Sequence, residues 1–499
     1  MSGVLSAINS VIWSDWLVYL CLATGVYFSV RTRFLQVRHV KGMIEQLFRG
    51  EKSASGVSSF QALAMSLSGR VGTGNIAGVA TAIAYGGPGA VFWMWVMGFL
   101  GASTSYIECT LAQIYKEKDA EGRYRGGPAY YIEKAMGLKW YAVTFAVATV
   151  IATGLLLPGV QANAIADSAS NVLCGAAGCE AVGGVGALKL WIGLGVAAVL
   201  ALIIFGGIKR IATFAEIVVP FMALAFILMA VTVMIVNAGK VPAMFADIFS
   251  SAFGAHAAFG AIIGQAIAWG VKRGIYANEA GQGTGPHAAA AAEVSHPAKQ
   301  GYVQAFAIYF DTMLVCTSTA FLLLSTGMYN TFRTVTENGK DTLVAIVSGV
   351  PGLQPSEGAQ FTQAAVESVL PGWGAGFVAL ALFFFAFTTI MAYYYMAETN
   401  LTYLAGVKKT HPLATLLLRL GIVGMVVFGA YHNAAMAWTL GDIGVGLMAW
   451  LNVIAILILQ KPALIALRDY ERQKKLGLDP TFDPDALGIR NAHFWKKQA

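Results

Sequence analysis

The chain has 499 residues, of which 57% are hydrophobic and 12% charged, with a formal net charge of +7. Apolar runs recur near the roughly 20 residues that a helix needs to cross hydrocarbon, so this is a polytopic all-α membrane protein whose backbone polar groups are satisfied inside helices. Soluble-domain counting is excluded, and the basic balance records topology in a lipid bilayer rather than binding to nucleic acid.

The first apolar segment, Trp16 to Val30, follows no basic leader and runs straight into Arg31 and Arg33, so it reads as a retained span. With 16–31 as the first, eleven spans are expected, the others at 59–85, 88–115, 141–163, 188–206, 212–236, 254–283, 303–328, 372–402, 412–431 and 434–460. Of the 33 Lys and Arg, 25 fall in one alternating set of connections (31–52, 116–139, 209–210, 299, 408–409 and everything after 460) and four in the other set. By the positive-inside rule the first set is cytoplasmic, which puts the N-terminus outside and the C-terminus inside a cell's inner (plasma) membrane. Cys174 and Cys179 fall in an outside connection, where they either form a disulfide or stay reduced. No spacing resembles a zinc site, and neither a Gly-x-Ser-x-Gly nor a Walker pattern occurs, so nothing points to an enzyme or to ATP as an energy source.

The chain divides into an N-terminal span with its linker (1–57), two sets of five spans (58–236 and 254–460) and a basic tail (461–499) that reads as a solvated or membrane-surface segment. Helix-breaking stretches then fall in register, 69-GRVGTGN-75 in the first span of one five and 270-GVKRGIYANEAGQGTG-285 in the first span of the other. Matched breaks in two halves are the sequence pointer to an inverted-repeat transporter with its site at the breaks. Glycines 69, 72 and 74 make unwinding cheap, and the helix that resumes at Asn75 offers amides to a carboxylate while freed carbonyls suit a small hard cation such as sodium.

Arg70 lies about 16 Å into its span at 1.5 Å per residue. A charge at that depth needs a partner, with Glu108, Glu216, Glu279, Asp311 and Glu398 as candidates, and the expected role is an ion pair that locks an inner gate. Thr388 and Thr389, adjacent hydroxyls deep in 383-FFFAFTTIMAYYYMAE-398, are expected ion ligands. Trp269, just before the second break, either roofs a substrate cavity or packs; Gln161 and Asn163 in 158-PGVQANAI-165 either face the cavity or cap a helix end.

The stretches 86-GGPGAVFWMWVMGFLG-101, 72-GTGNIAGVATAI-83 and 278-NEAGQG-283 resemble the sodium:alanine/glycine symporter family across nearly the whole chain. The resemblance implies a LeuT-type fold: ten core helices in two inverted fives, the first and sixth of them broken, here with one extra helix at the N-terminus. It also implies import of a small neutral amino acid, alanine or glycine, driven by sodium. Matched to that pattern, Ser68 and Val71 would bind sodium by their carbonyls, as would Phe385, while Thr388 and Thr389 would bind it by their hydroxyls. Gly72, Thr73 and Gly74 would hold the substrate carboxylate. Asn75 falls where some members of the wider fold bind a second sodium, and Arg70 replaces a small residue beside it, so one ion per cycle is expected. The alternatives are proton coupling, which would need a titratable carboxylate at the site, and a different neutral cargo such as serine or glutamine. These motifs do not fix the oligomeric state.

Overall fold

The computed structural model describes residues 2–48, 56–174, 179, 183–256, 259, 262–337, 340–409 and 411–495. An N-terminal pair, α1 (Ser2–Ile12) and α2 (Asp15–Arg31), leads through the short α3 (Leu35–Arg38) and α4 (Val40–Phe48) to the first broken helix. That helix opens with a capping box between Ser58 and Gln61 and runs as α5 (Ser59–Arg70). Its ladder stops at Val71 and Gly72 and resumes through a wide turn over Gly74–Gly78 into α6 (Val79–Gly86). Next come α7 (Gly89–Ile114), the hairpin β1 (Glu117–Lys118) and β2 (Tyr124–Arg125), and α8 (Pro128–Tyr131). Helices α9 (Lys139–Ile151) and α10 (Leu157–Cys174) join through another wide turn, and α11 (Val185–Ile204), α12 (Gly207–Val236) and α13 (Val241–Ala252) follow.

The second broken helix consists of α14 (Ile263–Asn278) and α15 (Gly285–Ala291). After it come α16 (Pro297–Ile308), α17 (Thr317–Thr326), the antiparallel hairpin β3 (Asn330–Glu337) and β4 (Lys340–Ser348), and α18 (Gly358–Glu367). The chain closes with α19 (Gly374–Ala405), α20 (Pro412–Tyr431) and α21 (Ala434–Lys475). Among the described residues nine helical segments are long and apolar enough to cross a membrane. Neither half of a broken helix has that length by itself.

Two helices form the centre. Every residue from Leu100 to Ile114 of α7 and from Phe385 to Asn400 of α19 is buried. Gly270 and Gly274 belong to this packing rather than to the break: a Cβ at 270 would lie 2.6 Å from the Ala90 carbonyl oxygen, and one at 274 would lie 2.9 Å from Met97 Cβ. They are small so that α14 can lie against α7, and the helix unwinds later than expected, from Glu279 to Thr284.

The basic connections gather at one end of the bundle. Lys134 bonds Tyr115 O at 3.1 Å, Lys299 pairs with Asp479 at 2.8 Å, Lys408 bonds Lys118 O at 2.8 Å, and Arg33 and Arg38 share Glu471. The opposite end holds the Lys189–Asp167 pair, a hydrogen bond from Asn171 to Gln363 on α18, and the disulfide Cys174–Cys179. The tail, expected as a solvated or membrane-surface segment, packs back on the protein in part: α21 continues to Lys475, and Phe482, Ile489 and Ala492 are buried against the basic end.

With the two ends so defined, a cysteine replacing exposed Leu343 on β4 should react with an impermeant maleimide from outside intact cells, and one replacing Leu478 should not. Reversed labelling would invert the topology.

Candidate functional site

The two breaks meet between α7, α10 and α19. On the side of α19, the Thr389 hydroxyl lies 2.8 Å from the Ser68 carbonyl oxygen of α5 and 2.9 Å from that of Phe385. One hydroxyl has one proton and cannot satisfy both carbonyls at once. Three oxygens are thereby gathered in the interior, both carbonyls within hydrogen-bond reach of the hydroxyl, the residue chemistry that a hard cation prefers. The Thr388 hydroxyl donates to Phe384 O at 2.9 Å and Phe385 O at 3.0 Å of its own helix. That is how threonine usually satisfies itself inside a helix. Val71 is fully buried at the end of α5, its amide on Leu67 O.

The amides expected to hold a carboxylate are covered by side-chain oxygens. Gly72 N donates to Asn75 Oδ1 at 2.9 Å, and Thr73 N donates to Gln161 Oε1 of α10 at 3.0 Å. Gln161 thus faces the break, while Asn163 points away and caps the Gly429 and His432 carbonyls at the end of α20. Gly72 sits where the two groups adjoin, since a Cβ there would fall 2.4 Å from Thr389 Oγ1 and 3.1 Å from Gln161 Oε1. Gly74 instead faces α14, its added Cβ meeting the Tyr276 ring at 3.0 Å.

The second break supplies groups that went unassigned in the sequence reading of the site. Among the described residues the Tyr276 hydroxyl, Asn278 Nδ2 and both polar atoms of Gln282 are buried without a hydrogen-bond partner, as is the Thr73 hydroxyl across from them. The Glu279 carboxyl and the Thr284 hydroxyl lie side by side, with the Arg70 charge near the carboxyl. Buried polar atoms are nearly always paired, so the second break carries more unpaired donors and acceptors than a closed helix would. The signal was present in 278-NEAGQGT-284, where four side chains able to hydrogen-bond interrupt an apolar span.

Arg70 does not form the expected ion pair. Its guanidinium donates to Gln304 O at 3.3 Å, Gln304 Oε1 at 3.2 Å and Ser105 Oγ at 3.2 Å. It reaches the start of α15, where a Cβ on Gly285 would lie 2.4 Å from it. Of the five candidate carboxylates, Glu108 takes Gly281 N and Asn452, Asp311 takes Asn75 and Thr312, Glu216 takes Gln61, and Glu398 pairs with Arg125; Glu279, like Glu108 and Asp311, lies close enough to feel the Arg70 charge without a direct ion-pair contact. The physical reason is depth: neutral acceptors can spread the guanidinium charge without a second desolvated ion.

Toward the disulfide end, Asp442 of α21 binds Arg273 at 2.8 and 3.2 Å and Lys272 at 2.7 Å, all three buried. Arg273 stacks 4.3 Å from the Trp438 ring and 5.4 Å from Tyr276. This closure went unassigned although Lys272, Arg273 and Asp442 are intramembrane charges of opposite sign. Trp269 belongs here rather than over the break: it stacks on Tyr85 with ring centroids 4.2 Å apart. It precedes Asn278 by nine residues, about 13 Å along the helix. Toward the basic end, buried Arg125 joins the β-hairpin to α19 through Asp119 at 3.0 Å and Glu398 at 3.1 Å.

Residues 1–484 match the sequence profile of the sodium:alanine symporter family. The chain belongs to that family. It is 57% identical over 498 residues to a putative sodium/proton-dependent alanine carrier of Bacillus subtilis strain 168, covering 100% of this chain and 98% of the relative. It is 51% identical over 454 residues to the sodium/proton-dependent alanine carrier of Bacillus sp. strain PS3, covering 91% of this chain and 97% of the relative. A manganese transporter of Eremococcus coleocola matches 87% of this chain and 90% of its own at a TM-score of 0.52 and 13% identity, a likeness of fold alone. A mostly helical, multi-pass transporter architecture is thus common to the symporter family and to that structural neighbour.

The two glycines of the first break separate the geometry from simple flexibility. Gly72→Ala drives a methyl into the Thr389 hydroxyl and should lower alanine uptake by roughly ten- to a hundredfold, the scale of about 1–3 kcal/mol of overpacking. Gly74→Ala asks only a tyrosine ring to give by a few tenths of an ångström and should cost less. Uptake kinetics of the two variants in whole cells measure the ranking, and the reverse order would move the site toward α14.

Proposed function

We propose that the protein is a sodium-coupled symporter that imports alanine or glycine across the plasma membrane by alternating access. The arrangement proposed for it is a LeuT-type bundle of eleven membrane helices. In it α1–α2 is the extra N-terminal span and two inverted sets of five follow, with α5–α6 and α14–α15 as the broken members. The observation that carries the reading is the Thr389 hydroxyl set between the Ser68 and Phe385 carbonyls and pressed against Gly72. It lets sodium and the amino-acid carboxylate be felt at one point.

In this reading sodium draws the Ser68, Phe385 and Thr389 oxygens inward, and Val71 contributes its carbonyl. The substrate carboxylate displaces the Asn75 and Gln161 oxygens from the Gly72 and Thr73 amides, and those freed side chains then contact the substrate. Gly74 holds α14 close enough for Tyr276, Asn278 and Gln282 to surround the cargo. Arg70 serves as a gating residue by joining α5 to the start of α15 through Gln304 and Ser105. Asp442 with Arg273 forms the outer closure, and Arg125 with Glu398 forms the inner one. One sodium moving inward through about 100 mV supplies about 2.3 kcal/mol, roughly fiftyfold accumulation before its own gradient is counted.

One observation favours proton coupling as a second reading. Glu279 places a buried carboxyl in the second break, 3.4 Å from where a Cβ on Gly69 would lie. The two alanine-carrier relatives named above have names that include protons as well as sodium.

The test is sodium activation of alanine uptake in the threonine variants. Thr389→Ala should raise the sodium concentration for half-maximal uptake by about tenfold or more, the loss of one ligand at the roughly 1.4 kcal/mol per decade of affinity. Thr388→Ala should stay near the parent value, since its hydroxyl serves its own helix. Equal sodium activation in parent and Thr389→Ala would remove the assignment.

A further inference from the structure

The inner ends of the two broken helices are joined through backbone. Val57, which leads into α5, donates to Ala291 O at 3.0 Å, and its own carbonyl accepts from Glu293 N at 3.0 Å, forming a parallel bridge centred on Ala292. The carbonyl end of α15 is then gripped from the end of α7. Gln113 Nε2 donates to Ala292 O at 3.0 Å and also to Ala289 O, and Lys116 Nζ donates to Ala292 O at 2.8 Å. A helix C-terminus carries partial negative charge, so an ammonium is well placed there.

Lys116 is 1% exposed. Its ammonium lies 4.6 Å from the centre of the Tyr124 ring, 4.5 Å from Phe494 and 5.2 Å from Trp495. Two of the three rings thus come from the far end of the chain. The segment that delivers them, 476–495, is tied at several points. Phe482 N bonds Ser295 O at 3.0 Å, the Ser295 hydroxyl bonds Pro480 O at 2.8 Å, and Lys299 pairs with Asp479 at 2.8 Å. Farther along, Asn491 bonds Lys134 O at 2.8 Å and the Trp495 indole bonds Gln113 O at 2.9 Å. The strap therefore runs from the α15–α16 connection to the end of α7 and the segment after β2, across the mouth through which the inner halves would have to move.

We propose that Lys116 is a positioning residue of the inner gate and that the C-terminal strap is its latch. Phe494 and Trp495 hold the ammonium on the carbonyl end of α15, and the inner halves of both broken helices part only when those rings lift. A desolvated cation over aromatic faces is at the strong end of such interactions, and it lies on the bridge that unites the two halves. This inference rests on the alternating-access reading above.

The test uses the full chain in proteoliposomes with a reporter on α15. Ala288 is 2% exposed and packs in an apolar cluster with Met65 and Tyr395, so Ala288→Cys should react slowly with an impermeant maleimide supplied from the cytoplasmic face. Two latch variants are placed on that background: Phe494→Leu with Trp495→Leu, which keeps apolar bulk and removes the rings, and Lys116→Met, which keeps length and removes the charge. Each should label about tenfold faster, as expected for loss of a desolvated cation–π contact that biases a closed state. Alanine affinity at saturating sodium should stay within about twofold of the parent, because neither change touches the site. Lys116→Arg should label at the parent rate. Parent-like labelling in both latch variants overturns the latch. So does a loss of alanine binding in both, which would make the rings and the lysine a matter of stability alone. If the reporter chain itself shows no sodium-dependent alanine binding, the transport reading fails, while the labelling rates still decide whether the strap holds this end closed.

Discussion

A backbone that leaves its helix inside hydrocarbon has to find new partners for every amide and carbonyl it frees, and much of this molecule is arranged around that demand. At the first break the Gly72 and Thr73 amides go to Asn75 and Gln161, and the Ser68 carbonyl goes to Thr389. None of these partners is a permanent cap of the kind that ends a soluble helix. In the proposed reading a carboxylate takes the place of Asn75 and Gln161 at little net cost, because one polar contact is exchanged for another of similar strength. The same demand explains why α10 carries a glutamine and α19 a threonine at buried positions, and why Leu100–Ile114 of α7 and Phe385–Asn400 of α19 are buried on all sides. Without rigid neighbours the unwound segments would have nothing against which to hold a geometry.

Charge follows the same logic. Arg70 donates its hydrogen bonds to neutral acceptors, with Glu279, Glu108 and Asp311 near its charge but not in contact, whereas full ion pairs stand at the two ends, Asp442 with Arg273 and Lys272, and Arg125 with Asp119 and Glu398. On the proposed alternating-access reading, a pair that opens in each cycle is less costly toward the membrane surface than at mid-membrane, where separating two ions leaves both desolvated.

Nine long apolar helices and the first break were legible because hydropathy and glycine act locally: the interruption at Val71 and Gly72 lies inside the quoted 69-GRVGTGN-75. The second break was placed too early because Gly270 and Gly274 look like helix breakers in sequence and act as contact points against α7 in space. Trp269 was open between roof and packing, and Arg70 was expected in an ion pair, for a related reason. Proximity along the chain suggested the cavity and a carboxylate, yet helical rise carries Trp269 to Tyr85, and the guanidinium finds Gln304 from a distant helix. Asp442 is a long-range partner that no local pattern reveals. The tail was read by its charge, while its sparse aromatic and aliphatic residues, Phe482, Ile489 and Trp495, decide where it packs. Short elements such as α13, α18 and the β3–β4 hairpin fall below the length at which membrane periodicity speaks.

The central claim is that sodium and a small neutral amino acid share one site and cross together. Purified protein in proteoliposomes, given labelled alanine under an inward sodium gradient with equal pH on both sides, tests it most directly. A parallel sample receives an inward proton gradient without sodium. The account predicts concentrative uptake in the first sample, increased by an interior-negative potential, and none in the second. Concentrative uptake with the proton gradient alone would contradict it.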